Sequence, residues 1–161
     1  MNASKGSSTH GTEWLNDGEQ GAWRQLIAML MALPAALESD LQRTTGVTMF
    51  EYMVLANLSE AEDHTLYMSE LARRANSSLS RLSHVVGRME RKAWVRKRPC
   101  PDDRRVSEVR LTRSGMRTIV KAAPFHVAKV RELVIEPLSA AQLKNLAEAA
   151  SAITQRIDAT S

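Results

Sequence analysis

The sequence predicts a mainly α-helical fold class with one small β-hairpin, on three observations. Phe, Tyr and Trp make up only 4% of the 161 residues against 43% hydrophobic overall, a balance that favours an aliphatic helical core over a β-sandwich. Apolar residues recur at three- and four-residue spacings over several long stretches, the period of a helix with one buried face. Two Ser/Thr-x-x-Glu/Gln boxes, Thr48 to Glu51 and Ser139 to Gln142, are of the kind that satisfies the free amides of a helix start.

A first helix is predicted from about Trp23 to Thr45, with Trp23, Leu26, Ile27, Leu30, Leu33, Leu37 and Leu41 on one stripe and Gly46 as its stop. The Thr48 box opens a second helix, Met49 to about Ser59, with Val47 and Tyr52 placed as a hydrophobic staple. Acidic residues 60–64 read as a loop and Thr65-Leu66-Tyr67 as a short strand. Ser69 is the expected cap of a short third helix, Glu70 to Ala75. After a break at Asn76, Ser77 or Ser78 caps a fourth helix with Leu79, Leu82, Val85, Val86 and Met89 facing inward. Residues 94–98 and 106–111 read as two strands around a Pro-Cys-Pro-Asp-Asp turn. Thr112 then caps a long helix with Pro124 as a kink point and Pro137 as its end, and the Ser139 box opens the last helix, striped by Leu143, Leu146, Ala150, Ile153 and Ile157.

Charge is concentrated. Between Arg81 and Arg113 eleven Lys and Arg residues stand against four acids, so this segment carries +7 while the chain as a whole carries +4. A local basic segment on an otherwise slightly acidic chain is the footprint of a polyanion-binding face, because phosphate contacts supply most non-specific affinity. The apolar run from Leu26 to Leu37 is too short to span a bilayer and contains Pro34, so no membrane association is expected. The first dozen residues read as a loose polar tail and not as a signal peptide. A single cysteine, Cys100, fits a reducing compartment. A cytoplasmic, nucleoid-associated protein is expected.

The order helix, helix, strand, helix, turn, helix, strand, basic turn, strand, helix, helix is that of a winged helix-turn-helix with a two-stranded wing and N- and C-terminal dimerisation helices. The segments Thr48 to Ser59, Met68 to Ala72, Ser80 to Val86, Arg88 to Arg91, and Asp103-Arg104-Arg105 followed by Leu111-Thr112 together resemble the MarR (multiple antibiotic resistance regulator) family. The resemblance covers about Trp23 to Ile157. It divides the chain into a flexible tail (1–20), a dimerisation helix (21–47), a DNA-binding lobe (48–112) and C-terminal dimerisation helices (113–161). Dimerisation also follows physically, since the apolar stripes of the terminal helices exceed what one small lobe can cover.

On the fourth helix, the side opposite the apolar stripe carries Ser78, Ser80, Arg81, Ser83, His84, Arg88 and Arg91. Arginine pairs bidentately with guanine, while serine and histidine can serve base edges or phosphates. These residues are the candidates for reading double-stranded DNA at a pseudo-palindromic operator. The resemblance implies that the hairpin tip, Asp103, Arg104 and Arg105, meets the minor groove, with Arg105 entering it and Asp103 holding the tip in shape. It further implies repression relieved by a small phenolic or anionic ligand, bound near Trp23, Met31, Tyr52 and Met53. Where the family often has Gly-Leu-Val, this chain has Ala93-Trp94-Val95, a change that reads as packing. His10, His64, His84 and His126 form no metal-ligand motif, and no catalytic or cofactor motif is found, so neither an enzyme nor a cofactor is expected. The alternatives are a protein-interaction module on the same fold that reads no DNA, an enzyme with an unrecognised site, or a redox sensor built on Cys100 beside Arg98 and Arg104.

Overall fold

A computed structural model describes residues 13–100 and 106–160. Two compact units are present, one ending at Pro34 and the other starting at Ala35. The first helix, α1 (Asp17–Thr45), begins six residues before Trp23 and within the stretch expected to be a tail. The reason is a reciprocal cap that periodicity alone does not reveal. The Glu19 amide donates to the Asn16 side-chain oxygen at 3.0 Å and the Asn16 amide donates to the Glu19 carboxylate at 2.8 Å. Within the first unit Trp23, Leu30 and Met31 are all exposed.

The second unit holds the core. After Gly46, whose φ of +72° ends α1 in the left-handed conformation glycine tolerates, come α2 (Met49–Glu60), β1 (Thr65–Tyr67), α3 (Met68–Arg74) and α4 (Leu79–Arg91). β2 (Val95–Pro99), β3 (Ser107–Leu111), α5 (Arg113–Val130) and α6 (Ala140–Asp158) follow, with a wide turn over Arg131–Ile135 after α5. Both predicted capping boxes are formed, at Thr48 and Ser139. Ser78 and Thr112 cap α4 and α5. The Ser69 cap is not made: α3 starts two residues earlier than expected, at Met68, with Tyr67 at the N-cap and no side-chain bond there. The chain enters α3 directly from β1, so its start is set by the strand and not by a serine.

The hairpin is wider than two strands, because β1 joins it to give an antiparallel sheet in the order β1-β3-β2. Leu55, Leu58, Leu71, Leu82, Val86, Met89 and Val109 are fully buried between this sheet and the helices. Leu79, predicted to face inward with them, is 55% exposed. It is the first residue of α4 and lies before the point where the helix meets the core. On α6 no residue is buried, and Val120, Phe125 and Val127 of α5 are exposed. No helix among the described residues is long and apolar enough to cross a membrane.

Candidate nucleic-acid interface

The geometry of the site starts at two helix ends. α3 closes on Asn76 at φ +46°, with the Asn76 amide donating to the Arg73 carbonyl and the Ser77 amide to the Ala72 carbonyl. This paired arrangement satisfies the last free carbonyls and reverses the chain sharply. Ser78 then accepts from the Arg81 amide at 3.2 Å and starts α4. The far end of α4 closes in the same way, with the Ala93 amide on the Glu90 carbonyl and the Trp94 amide on the Met89 carbonyl. Here the left-handed position, φ +57°, is Ala93. Ala93 therefore holds a backbone angle that disfavours a side chain, while Trp94 and Val95 of the same departure pack on or in the core.

The C-terminal end of α4 is pinned by polar bonds to distant parts of the chain. The Glu51 carboxylate, 1% exposed, accepts from Lys92 Nζ at 2.8 Å while also capping α2 through the Thr48 amide. Lys92 Nζ lies 4.3 Å from the centre of the Trp94 ring. The Thr112 hydroxyl sits at 2.7 Å from the Ala93 carbonyl and 3.0 Å from that of Trp94. Gly115 closes the junction: a Cβ there would fall 2.1 Å from the Trp94 carbonyl oxygen. Neither Glu51 nor Gly115 stands out in the sequence as part of the site, since their partners are distant along the chain.

With Leu82, Val85, Val86 and Met89 buried, Ser78, Ser80, Arg81, Ser83, His84 and Arg91 are left exposed, as the helical period predicts. Arg88 differs. It is half-buried, its Nε lacks a hydrogen-bond partner, and it lines a cleft of about 650 Å³ with Glu38, Phe50, Ser80, Arg81 and His84. Arg81 also leans towards α2, its guanidinium carbon 4.7 Å from the centre of the Phe50 ring. Ser83 faces the other flank, towards Lys97 and Ser107. Asp103, Arg104 and Arg105 lie outside the described residues.

Unpaired charge distinguishes α4 and the strands after it from α3. Among the described residues none of Arg81, Arg88, Arg91, Arg96, Arg110 or Arg113 has an ion-pair partner. On α3, Arg73 and Arg74 both bind Glu70. Hydrogen bonds from Arg73, then from Arg74, hold the Glu70 carboxyl down at about 2.

Of the expected ligand-contacting residues, Trp23 and Met31 belong to the first unit and are exposed. Tyr52 and Met53 are neighbours on α2, yet Tyr52 is buried and Met53 is 39% exposed. The Tyr52 ring is tilted against that of His126 with centroids 4.3 Å apart. Burial, and secondarily the charge of Glu60, raise the Tyr52 pKa. Burial lowers that of His126, whose Nδ1 is buried without a partner. No sequence signal distinguishes His126 from an ordinary core histidine. Cys100 is buried, with its thiol 3.9 Å from the Tyr67 hydroxyl, and Arg98 beside it is paired with Glu108.

A short α3, a tight turn and an α4 with an unpaired polar face, followed by a basic hairpin, define a protein of the winged helix-turn-helix class. The MarR family model matches residues 47–107. AbsC, a MarR family transcriptional regulator from Streptomyces coelicolor, is 42% identical, covers 92% of this chain and 99% of its own, and superposes with a TM-score of 0.87. Sco3205, a MarR family transcriptional regulator of the same organism solved in complex with DNA, is 36% identical over 91% of this chain and 92% of its own, also with a TM-score of 0.87. The transcriptional repressor MprA of Escherichia coli is 26% identical over 51% of this chain and 47% of its own. The chain spans about half the length of the curated relatives it matches. The chain belongs to the MarR family.

Proposed function

We propose that this chain is a homodimeric, sequence-specific DNA-binding transcriptional regulator that represses from a pseudo-palindromic operator and is released by a small phenolic or anionic ligand. The observation that carries the reading is the polar face of α4, where Ser80, Arg81, Ser83, His84 and Arg91 are exposed and the arginines unpaired, on a helix anchored at its C-terminal end. Such a face suits the major groove, where arginine forks read guanine and hydroxyls read base edges or phosphates. In the same reading the tip residues Asp103, Arg104 and Arg105 meet the adjacent minor groove. Sco3205, crystallised in complex with DNA, and MprA, a transcriptional repressor, supply precedent.

Dimerisation is supported by apolar surface that each unit leaves open by itself: Trp23, Leu30 and Met31 in the first, and Val120, Phe125 and Ile157 in the second. Such surface in a monomer marks an interface. Residues 21–47 and 113–161 are the proposed dimerisation segments. For ligand control, the supporting feature is Tyr52 beside the buried, unpartnered Nδ1 of His126, the kind of polar atom that an incoming ligand satisfies. The burial of Cys100 weighs against redox sensing, since buried thiols are inert. The protein acts in the cytoplasm on the nucleoid and has no enzymatic role.

Selection of bound sites from random duplexes, repeated over a salt series and with phenolic acids present, tests the function. The expected product is two half-sites about one helical turn apart, bound with a steep inverse dependence on salt. Absence of salt-dependent DNA binding would leave the interaction-module reading in its place.

A further inference from the structure

The outer face of the sheet carries two neighbouring cross-strand pairs of opposite electrostatic sense. Val95 and Leu111 are register partners and both are buried, so Arg96 opposite Arg110, one residue along, lies on the other face, as does Arg98 opposite Glu108 two further on. Arg98 and Glu108 form an ion pair. Arg96 and Arg110 place like charges directly across the strands, and the remaining neighbour of Arg110 in the row is the neutral Thr65. Like charges opposite one another destabilise a sheet. Beyond Leu111 the chain brings a third arginine, Arg113, to the same place: a cleft of about 670 Å³ is lined by Arg96, Arg110, Arg113, Ser114 and Glu90. All three arginines are exposed, and none has an ion-pair partner among the described residues. The single acid in the cleft, Glu90, already accepts from the Lys97 amide at 2.8 Å.

We propose that Arg96, Arg110 and Arg113 form a phosphate-binding site at the base of the hairpin, taking a backbone phosphate of the DNA engaged by α4. A phosphate offers several anionic oxygens to guanidinium forks arriving from different directions, which a single carboxylate in the cleft does not match. The bound anion also removes the repulsion that the cross-strand pair builds into the free protein. The site extends the interface away from α4 and from the hairpin tip, and it takes DNA as its phosphate source on the reading given above.

The experiment uses the full chain with Arg110→Gln, Arg110→Lys and Arg98→Gln. Each is measured for denaturation midpoint without DNA, for affinity on a selected duplex across a salt series, and for stabilisation by inorganic phosphate. Arg110→Gln is expected to raise the midpoint yet weaken DNA binding, with the slope of log K against log salt falling in magnitude by about 0.9, one phosphate's share. Arg110→Lys should restore the slope. Arg98→Gln should lower the midpoint and leave the slope alone. If Arg110→Gln binds DNA as the wild type does, while inorganic phosphate stabilises only the wild type, the DNA source is overturned in favour of a free phosphoryl anion. If Arg110→Gln changes neither DNA binding nor the phosphate response, there is no site. A wild-type chain that selects no DNA sinks the regulator reading, and the phosphate arm then decides the site alone.

Discussion

Helices α3 and α4 are both short and both carry arginines, but they handle charge in opposite ways. On α3, Glu70 accepts from Arg73 and Arg74 at 2.7 to 3.0 Å, so both arginines of the helix are held by one carboxylate. On α4, Arg81, Arg88 and Arg91 have no acidic partner among the described residues, while the C-terminal end is fixed by Glu51, Lys92, Thr112 and Gly115. The same residue type is thus ion-paired on one helix and unpaired on the next. Charge count alone marks both helices as basic, whereas unpaired charge on an anchored helix marks only α4 as a surface waiting for an anion.

The strongest way to break this contrast is to unseat α4. Gly115→Ala places a methyl against the Trp94 carbonyl and Leu111, and backbone cannot move aside as a flexible side chain does. A loss of about 3 kcal/mol or more is expected in denaturant unfolding. A loss under about 1 kcal/mol would mean that the close approach of α5 to the end of α4 does not hold.

A sharper comparison sets one arginine from each helix side by side. Arg81→Ala should cost about 1–3 kcal/mol on the cognate duplex and less on random DNA. Arg73→Ala, removing a guanidinium already ion-paired with Glu70, should change affinity by less than about 0.5 kcal/mol, within the usual range of a surface substitution. Equal losses from the two variants would show that ion pairing on α3 does not exclude it from the interface.

At the end of α4, Ala93→Gly relieves the left-handed backbone at φ +57°. Stability should rise by about 1 kcal/mol, since the steric gain exceeds the entropy glycine loses on folding. A fall in midpoint would place the value of Ala93 elsewhere than in its backbone angle.

The smallest effect belongs to Glu70. Its folded pKa, about 2, lies below the ordinary 4.5, so its contribution to stability is fully present above about pH 4.5 and disappears as pH falls towards 2. Wild type and Glu70→Gln should therefore differ slightly in midpoint at pH 6 and converge near pH 2. A carboxyl titration of Glu70 centred near 4.5 would remove the contrast between the two helices.

Much of this fold is legible without coordinates, because helix starts are local. Thr48 and Glu51, Ser78, Thr112, and Ser139 and Gln142 each act within one turn, so residue spacing suffices to find them. The buried stripe Leu82, Val85, Val86 and Met89 of α4 follows from its 3.6-residue period, and with it the exposure of Ser80, Arg81, Ser83, His84 and Arg91, whereas exposed Leu79 and half-buried Arg88 depart from it. Asn16 and Glu19 were equally local and were obscured only because the apolar period begins later. The start of α3 was obscured by β1, which takes over the role a cap would have played.

The sequence by itself determined the order of elements, the polar face of α4 and the concentration of positive charge between Arg81 and Arg113, since all three depend on neighbours within a few residues. Tertiary structure alone decided which charges are cancelled. Glu51 meets Lys92 across 41 residues, Glu108 meets Arg98 while Arg96 meets Arg110 by strand register, and Arg88 turns into a cleft towards Glu38 and Phe50. The reason is physical: a charge is open or satisfied according to what lies within a few ångströms of it, and chain folding, not residue order, sets those distances.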